Sequence, residues 1–325
     1  MLNAGLSNTV LTAMVELCRK IVKGMDRKEF LQQGVFLFSA TSLPRNENWA
    51  NPFEGNTERQ NETSRFQICT ACGTQFPTAL GHSICPICLD DRQAVPHEGQ
   101  GWTTPERLVA QHSVKILKLS ESLYEFMITP RFAIGQRAFL AISESGNILW
   151  DCIPLLDEAT IEFIESKGGL KAIAFSHPHY YSNMNQWADA FDCPIYIHVN
   201  DKIFIHDKGP RVTLWTGFTK DLWDGITIYN IGGHFPGSSI VRIPKMSKEG
   251  VVLLGDTLYL SPSLKHFALM YSYPNRIPLP RQEVLSVKEK LSRVPFDTLY
   301  GFYSYQNVHV DAKKLVDVSL DRYLI

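Results

Sequence analysis

Residues 170–182 read LKAIAFSHPHYYS, and this stretch decides the fold. Its first part, 170–175, is a short apolar run bounded by polar residues, which predicts a buried β-strand. The run leads directly into His177 and His179, and their spacing places both side chains just past the carboxyl end of the strand, on the same side of the chain. Two imidazoles in that position suit a bound metal ion.

Two later strands end in the same way. Residues 228–237 read IYNIGGHFPG, so an apolar strand runs into two glycines and His234. Residues 251–256 read VVLLGD, so another apolar strand ends in Asp256. Three strand ends therefore offer three histidines and one aspartate.

The order strand-HxH, strand-GGH and strand-GD, at gaps of about 50 and then about 20 residues, resembles the metallo-β-lactamase superfamily. The resemblance covers roughly 105–325. It implies an α/β fold, an αββα sandwich of two β-sheets with helices outside. A predicted strand over 147–152 and a predicted helix over 156–166 also fit that family.

The match to the family's first motif, HxHxDH, is incomplete. His177 and His179 match, but Tyr181 stands at the aspartate and Ser182 at the last histidine. The family's final motif histidine is expected near 299–303, where this chain has none. The missing residues are the family's ligands for a second metal, so the resemblance implies a mononuclear site.

By this resemblance, His177, His179 and His234 hold the catalytic metal, and Asp256, the family's bridging ligand, completes or flanks the site. A site of three histidines with an open position lowers the pKa of bound water to about 7. Histidine and carboxylate ligands suit zinc and also iron or manganese.

The reaction expected from such a site is hydrolysis of a small ester, thioester, lactone or lactam by a metal-bound hydroxide. Asp256 and Tyr181 are the catalytic candidates. Tyr181 either orients water or donates a proton, or it only fills a vacated space. Because one fold hosts many reactions, a lyase or isomerase acting on a small metabolite remains an alternative. A catalytically silent scaffold that uses its cysteine-rich segment to bind a protein is a further one.

Four of the seven cysteines form two CxxC pairs, Cys69 with Cys72 and Cys85 with Cys88. Two such pairs can present four thiolates to one Zn²⁺, which predicts a structural zinc ribbon with no position open to substrate. Four independently buried cysteines or two disulfides are the alternatives. The odd number of cysteines indicates thiol and metal usage and favours the cytoplasm.

Length and charge limit the other possibilities. The chain has 325 residues with 32 basic and 33 acidic side chains, so its net charge of −1 gives no overall attraction to nucleic acid. The sequence contains no stretch of about 18 consecutive apolar residues, so no membrane span is predicted. We expect a small-molecule substrate, while the oligomeric state stays open.

We predict three segments: an N-terminal helical segment and linker over 1–65, the zinc ribbon over 66–100, and the metallo-β-lactamase-like domain over 101–325. Periodicity within the last of these predicts further elements. They are strands at 114–119, 123–129, 138–143, 194–199, 212–215, 226–231, 239–243 and 251–254, and helices at 184–191, 281–293 and 311–323.

Overall fold

The computed structural model describes residues 64–324. The helical segment and linker predicted for 1–65 therefore fall almost entirely outside the described residues. The described part belongs to one compact unit, which spans Thr63–Ile325. Among its helices, none is both long and apolar enough to cross a membrane.

The first sheet is small and antiparallel, with strand order β2-β1-β3. Its strands are β1 (Phe66–Cys69), β2 (Gln75–Pro77) and β3 (Trp102–Thr103). β3 pairs with β1 although it lies beyond residue 100. The division of the chain at that residue stays a prediction.

The second sheet has seven strands in the order β10-β9-β8-β7-β6-β5-β4. β4 to β7 pair antiparallel, and β7 to β10 pair parallel. The strands are β4 (Ser113–Ser120), β5 (Leu123–Thr129), β6 (Arg137–Ala141), β7 (Ile148–Trp150), β8 (Ala172–Ala174), β9 (Ile195–His198) and β10 (Val212–Trp215).

Three helices accompany this part of the chain. They are α1 (Pro105–Gln111), α2 (Glu158–Ser166) and α3 (Met184–Ala190). α2 begins after Asp157, whose side chain accepts a hydrogen bond from the Thr160 amide at 2.8 Å and so caps the helix. α2 and α3 are crossovers between parallel strands, which need connections of this length.

The third sheet has six strands in the order β11-β12-β13-β14-β19-β20. They are β11 (Thr219–Asp221), β12 (Thr227–Asn230), β13 (Ser239–Ile243), β14 (Val251–Leu253), β19 (Thr298–Tyr300) and β20 (Asn307–Val308). Two short hairpins lie between β14 and β19. They are built from β15 (Tyr259–Leu260) with β16 (Phe267–Ala268) and from β17 (Met270–Ser272) with β18 (Ile277–Pro278). Helix α4 (Arg281–Ser292) follows β18, and helix α5 (Ala312–Asp321) follows β20.

The two large sheets face each other across a common apolar core. Phe139 and Trp150 of one sheet share a cluster with Val241 and Leu253 of the other. The indole N–H of Trp150 donates to the carbonyl of Leu254 at 3.2 Å, which adds a polar link between the sheets. Burial of large side chains between two sheets is what holds such a sandwich together.

Helices cover the outer face of each sheet. One outer core joins the seven-stranded sheet to Ile164 of α2 and Trp187 of α3. The other joins the six-stranded sheet to Val287 of α4 and Val316 of α5. The layers therefore follow the order helix, sheet, sheet, helix, and the predicted αββα sandwich is confirmed.

Candidate metal centres

The four cysteines of the small sheet converge on one point. All four are buried free thiols, so within the described chain the disulfide alternative is wrong. The Sγ atoms of Cys69 and Cys88 are 3.7 Å apart, and those of Cys72 and Cys85 are 3.6 Å apart. Metal–sulfur bonds of about 2.3 Å in a tetrahedron place the sulfurs about 3.8 Å apart, so this cluster fits a four-thiolate metal.

Neighbouring polar groups support the cysteine cluster. The Gln100 side-chain amide donates to Cys69 Sγ at 3.0 Å, and the Cys72 thiol lies 3.3 Å from Thr74 Oγ1. Hydrogen bonds from the other three thiols, chiefly that of Cys72, hold the pKa of the Cys69 thiol far below its usual range. His82, which lies between the two CxxC pairs, is not part of the cluster and packs edge-on against Phe76 at 5.0 Å.

The second cluster forms where β8, β12 and β14 end. His177, His179, His234 and Asp256 each offer one ligand atom, and these atoms lie within 4.8 Å of one another. The ring centroids of the three histidines are 5.1, 5.1 and 5.2 Å apart, a nearly equilateral triangle. The structure thus brings together all four residues that the sequence placed at strand ends.

The histidine rings are turned so that the same atom of each is left without a partner. Nε2 of His177, of His179 and of His234 is buried and has no hydrogen-bond partner. His234 Nδ1 lies 3.2 Å from the carbonyl of Met270, and because a carbonyl only accepts, this contact places the ring proton on Nδ1. Buried polar atoms are rarely left unpaired, so three unpaired Nε2 atoms facing one point fit a divalent metal.

Electrostatics favours the ligating form of each imidazole. Burial, followed by the neighbouring histidines, lowers the pKa of His177 well below its usual value, and burial does the same for His179. Burial also lowers the pKa of His234 to about 4. At neutral pH all three rings are uncharged and keep a lone pair for a metal.

Asp256 is oriented by Tyr180. The Tyr180 hydroxyl donates to Asp256 Oδ1 at 2.7 Å, while Oδ2 lies 3.6 Å from His177 Nε2. Burial raises the pKa of the Asp256 carboxyl to about 6, and the Tyr180 hydrogen bond opposes that rise. One carboxylate oxygen is therefore fixed by the protein, and the other faces the histidines.

Close packing explains why a glycine, Gly255, precedes Asp256. A Cβ at this position would lie 2.2 Å from Ser176 Oγ and 2.9 Å from His177 Nδ1. The ends of β14 and β8 therefore approach so closely that no side chain fits between them. The same close approach brings Asp256 within reach of His177.

A cavity of about 170 Å³ opens onto the cluster and includes His179, His234 and Asp256 in its wall. The rest of the wall is formed by Arg92, Gln93, Arg131, Ile134, Tyr259, Tyr273, Pro274, Phe302 and Tyr303. Phe302 lies in the segment where the family's final histidine was expected. Its ring stacks on Tyr180 with a centroid distance of 5.5 Å.

Arg92, from the cysteine-rich segment, contacts this histidine centre, which the sequence did not reveal. Its Nε donates to the carbonyl of His234 at 2.7 Å, and its guanidinium pairs with Asp90 at 2.8 Å. The guanidinium carbon lies 4.3 Å from the ring of Phe235 and 4.2 Å from that of Tyr271. The only sequence signal was the charge of Arg92, which indicated nothing about a partner 142 positions along the chain.

The structure corrects the expected place of Tyr181. Its ring packs edge-on against Phe175 at 5.2 Å, and it lines a separate cavity of about 430 Å³ together with residues of the small sheet such as Phe76. Tyr180, not Tyr181, contacts the histidine centre. The neighbouring Ser182 donates from Oγ to the carbonyl of Gly73 at 3.2 Å, so the two positions that depart from the family motif face the cysteine-rich segment.

His198, the other histidine that ends a strand, lies outside the cluster. Its Nε2 is 3.1 Å from the carbonyl of Gly217, and its Nδ1 accepts from the Asn200 amide at 3.3 Å. Both nitrogens are thus engaged in local structure.

The sandwich and the site at its strand ends define a protein of the metallo-β-lactamase fold. The crystal structure of VMB-1 superposes with a TM-score of 0.50 at 15% identity, covering 66% of this chain and 99% of VMB-1. That of the DIM-1 metallo-β-lactamase gives a TM-score of 0.50 at 15% identity, covering 65% of this chain and 98% of DIM-1. Likeness at this level of identity establishes the fold alone.

A protein of Bacillus subtilis (strain 168), described as "Uncharacterized protein YmaE", is 38% identical over 263 residues, which are 80% of this chain and 96% of YmaE. The chain belongs to the YmaE family. No family model matches it.

Proposed function

We propose that the protein is a metal-dependent hydrolase acting on a small ester, thioester, lactone or lactam. The observation that carries this proposal is the convergence of three unpaired histidine Nε2 atoms and Asp256 beside a cavity whose wall includes His179, His234 and Asp256. Three histidines beside an open space are the donor set of catalytic metal sites, whereas structural sites are closed.

The cofactor we propose is a single divalent ion, zinc first, held by His177, His179 and His234 with Asp256 beside them. Such an ion supplies a Lewis acid for the substrate carbonyl and lowers the pKa of a bound water. The proposal of one ion rests on Tyr181 and Ser182, which stand where the family has second-metal ligands and here lie against the cysteine-rich segment.

The side chains of this protein have distinct tasks in that scheme. Asp256 is the one carboxylate among the described residues that line the cavity, and we assign to its Oδ2 the proton released by the attacking water. Tyr180 acts on Asp256 as a positioning residue, because its hydroxyl binds Oδ1 and keeps Oδ2 turned to the site. The aromatic wall, including Tyr273 and Phe302, limits the entry of bulk water.

For the cysteine cluster we propose a structural zinc ion. The four cysteine sulfurs supply all four ligands of a tetrahedral ion, and none of the four cysteines lines either cavity described above. A filled sulfur shell has no place for substrate and contributes its binding free energy to folding.

The test is a hydrolysis assay on zinc-loaded protein with a panel of an aryl ester, an acyl thioester, a lactone and a β-lactam. We expect turnover of at least one compound by the wild type and by His97→Ala, whose exposed histidine belongs to neither cluster, and none by His179→Ala. Equal turnover by His179→Ala and the wild type would overturn the assignment. A zinc-loaded wild type that hydrolyses none of the panel would favour the lyase, isomerase or scaffold alternatives.

A further inference from the structure

The cavity carries a positive charge that the proposed hydrolysis does not use. Arg131 lines the cavity, and within residues 64–324 no carboxylate lies within salt-bridge distance of it. Arg92, the other arginine of the wall, is already paired with Asp90 at 2.8 Å. The unneutralised guanidinium at this cavity is therefore that of Arg131.

Local structure holds Arg131 in place. One terminal nitrogen of the guanidinium, Nη2, donates to the carbonyl of Ile134 at 2.7 Å and lies 3.4 Å from the Tyr303 hydroxyl. Gly135 has φ +71°, and a Cβ there would lie 2.4 Å from Arg131 Nε, so the side chain folds closely over that glycine. The other guanidinium nitrogens are not engaged by any side chain or carbonyl in the described part of the chain. They are free to bind a ligand.

A row of aromatic rings leads from the histidine centre to Arg131. The ring centroids of His234 and Tyr273 are 5.8 Å apart, those of Tyr273 and Tyr259 5.0 Å, and those of Tyr259 and Tyr303 6.2 Å. The guanidinium carbon of Arg131 lies 5.8 Å from the Tyr303 ring. Arg131, His179 and His234 line the same cavity of about 170 Å³, so a small molecule that fills it contacts both the histidine centre and Arg131.

We propose that the substrate carries an anionic group, a carboxylate or a phosphate, that Arg131 binds at the end of the molecule away from the bond that is cleaved. This rests on the proposed hydrolase and narrows its substrates to small anionic esters, thioesters, lactones or lactams. A guanidinium matches the oxygen geometry of both anions and binds them by charge-assisted hydrogen bonds. The neutral tyrosines along the wall provide no competing charge.

The test uses cobalt-loaded full-length protein and three thiol probes: 3-mercaptopropionate, 2-mercaptoethyl phosphate and the neutral 3-mercaptopropionamide. Each thiol can bind the metal, and its dissociation constant is read from the change in thiolate-to-cobalt absorption over the constant background of the cysteine cluster. We expect at least one anionic probe to bind the wild type about tenfold more tightly than the amide, as one charge-assisted hydrogen bond provides. The anionic probe with the lower dissociation constant shows whether Arg131 prefers a carboxylate or a phosphate.

Arg131→Gln should remove that preference and leave the affinity for the amide unchanged, whereas Arg131→Lys should keep part of it. Arg107→Gln, which changes an exposed arginine on α1, is the matched control and should behave as the wild type. Equal affinity of all three probes in the wild type, or a preference that survives Arg131→Gln, would overturn the anion proposal alone. No absorption change with any thiol would overturn the metal centre, and the proposed function and this proposal with it.

Discussion

The cysteine cluster and the histidine cluster are both sets of four converging donors, yet they are built in opposite ways. The cysteine donors come from a segment of about 20 residues, all are sulfur, and the set is closed on itself. The histidine and aspartate donors come from three strand ends spread over 177–256, and one side of the set faces a cavity. A closed sulfur shell suits structure, whereas a mixed shell beside a cavity suits chemistry.

The difference extends to folding. The cysteine cluster closes short loops, so a metal ion can organise it with little help from the rest of the chain. The histidine cluster exists only once both large sheets are in place, because β8 and β14 belong to different sheets. Loss of a metal from the cysteine cluster should therefore lower the stability of the protein, and loss of a metal from the histidine cluster should lower its activity.

The largest effect is expected from Cys72→Ser. It removes one of four thiolates, and structural zinc in small domains contributes on the order of 10 kcal/mol of folding free energy. We expect loss of one metal equivalent and rapid proteolysis within 64–104. Cys193→Ser, which changes a buried cysteine outside the cluster, should keep the full metal content. Unchanged metal content in Cys72→Ser would contradict the zinc ribbon.

His179→Ala should act on the other cluster. It removes one of three imidazoles, so we expect its metal affinity to fall by more than the 10–100-fold typical for loss of a supporting residue, with the cysteine-bound metal retained. Metal content measured by elemental analysis, with His97→Ala as the control, checks this. A variant that still holds both equivalents would mean that the metal lies elsewhere.

Much of the fold and of the candidate site could be predicted from local pattern. Strands over 170–175, 226–231 and 251–254 are present as β8, β12 and β14, and the residues after them converge as their order suggested. Strand ends are predictable because an apolar run that stops at a glycine or histidine marks them directly. That these residues bind a metal stays a prediction.

Side-chain direction and distant contacts could not be predicted from the sequence. The family motif points to Tyr181 because that residue stands at the position of its aspartate, but residues 178–180 form a 3-10 turn and Tyr180 is the tyrosine that contacts Asp256. Arg92 meets His234 only because the small sheet docks on the sandwich, and no local pattern encodes that docking. Contacts of this kind depend on how separate elements pack.

Tyr180→Phe and Tyr181→Phe separate the two tyrosines. Tyr180→Phe removes the hydrogen bond to Asp256 Oδ1, and we expect metal affinity at the histidine centre to fall about 10–100-fold. Tyr181→Phe should leave metal affinity and turnover near the wild-type values, because its ring packs on Phe175 and lines the other cavity. Competition with a calibrated chelator measures the metal affinity of both variants, and the hydrolysis assay measures their turnover. A larger loss in Tyr181→Phe would restore the sequence-based assignment.

The smallest effect is expected where the two regions touch. Arg92→Gln removes a charged donor to the His234 carbonyl and the stacking on Phe235 and Tyr271. Each such contact contributes about 1 kcal/mol, so metal affinity at the histidine centre should fall several-fold while the cysteine-bound metal is unaffected. Arg107→Gln is the control. Identical affinities in both variants would show that the cysteine-rich segment does not position His234.

The most direct test of two clusters with different roles is the metal content of the wild-type protein before and after dialysis against a small chelator such as dipicolinate. We predict two equivalents per chain before dialysis and one after it, with X-ray absorption showing that the remaining ion is bound by sulfur. A single equivalent at the start, or earlier loss of the sulfur-bound ion, would contradict the account.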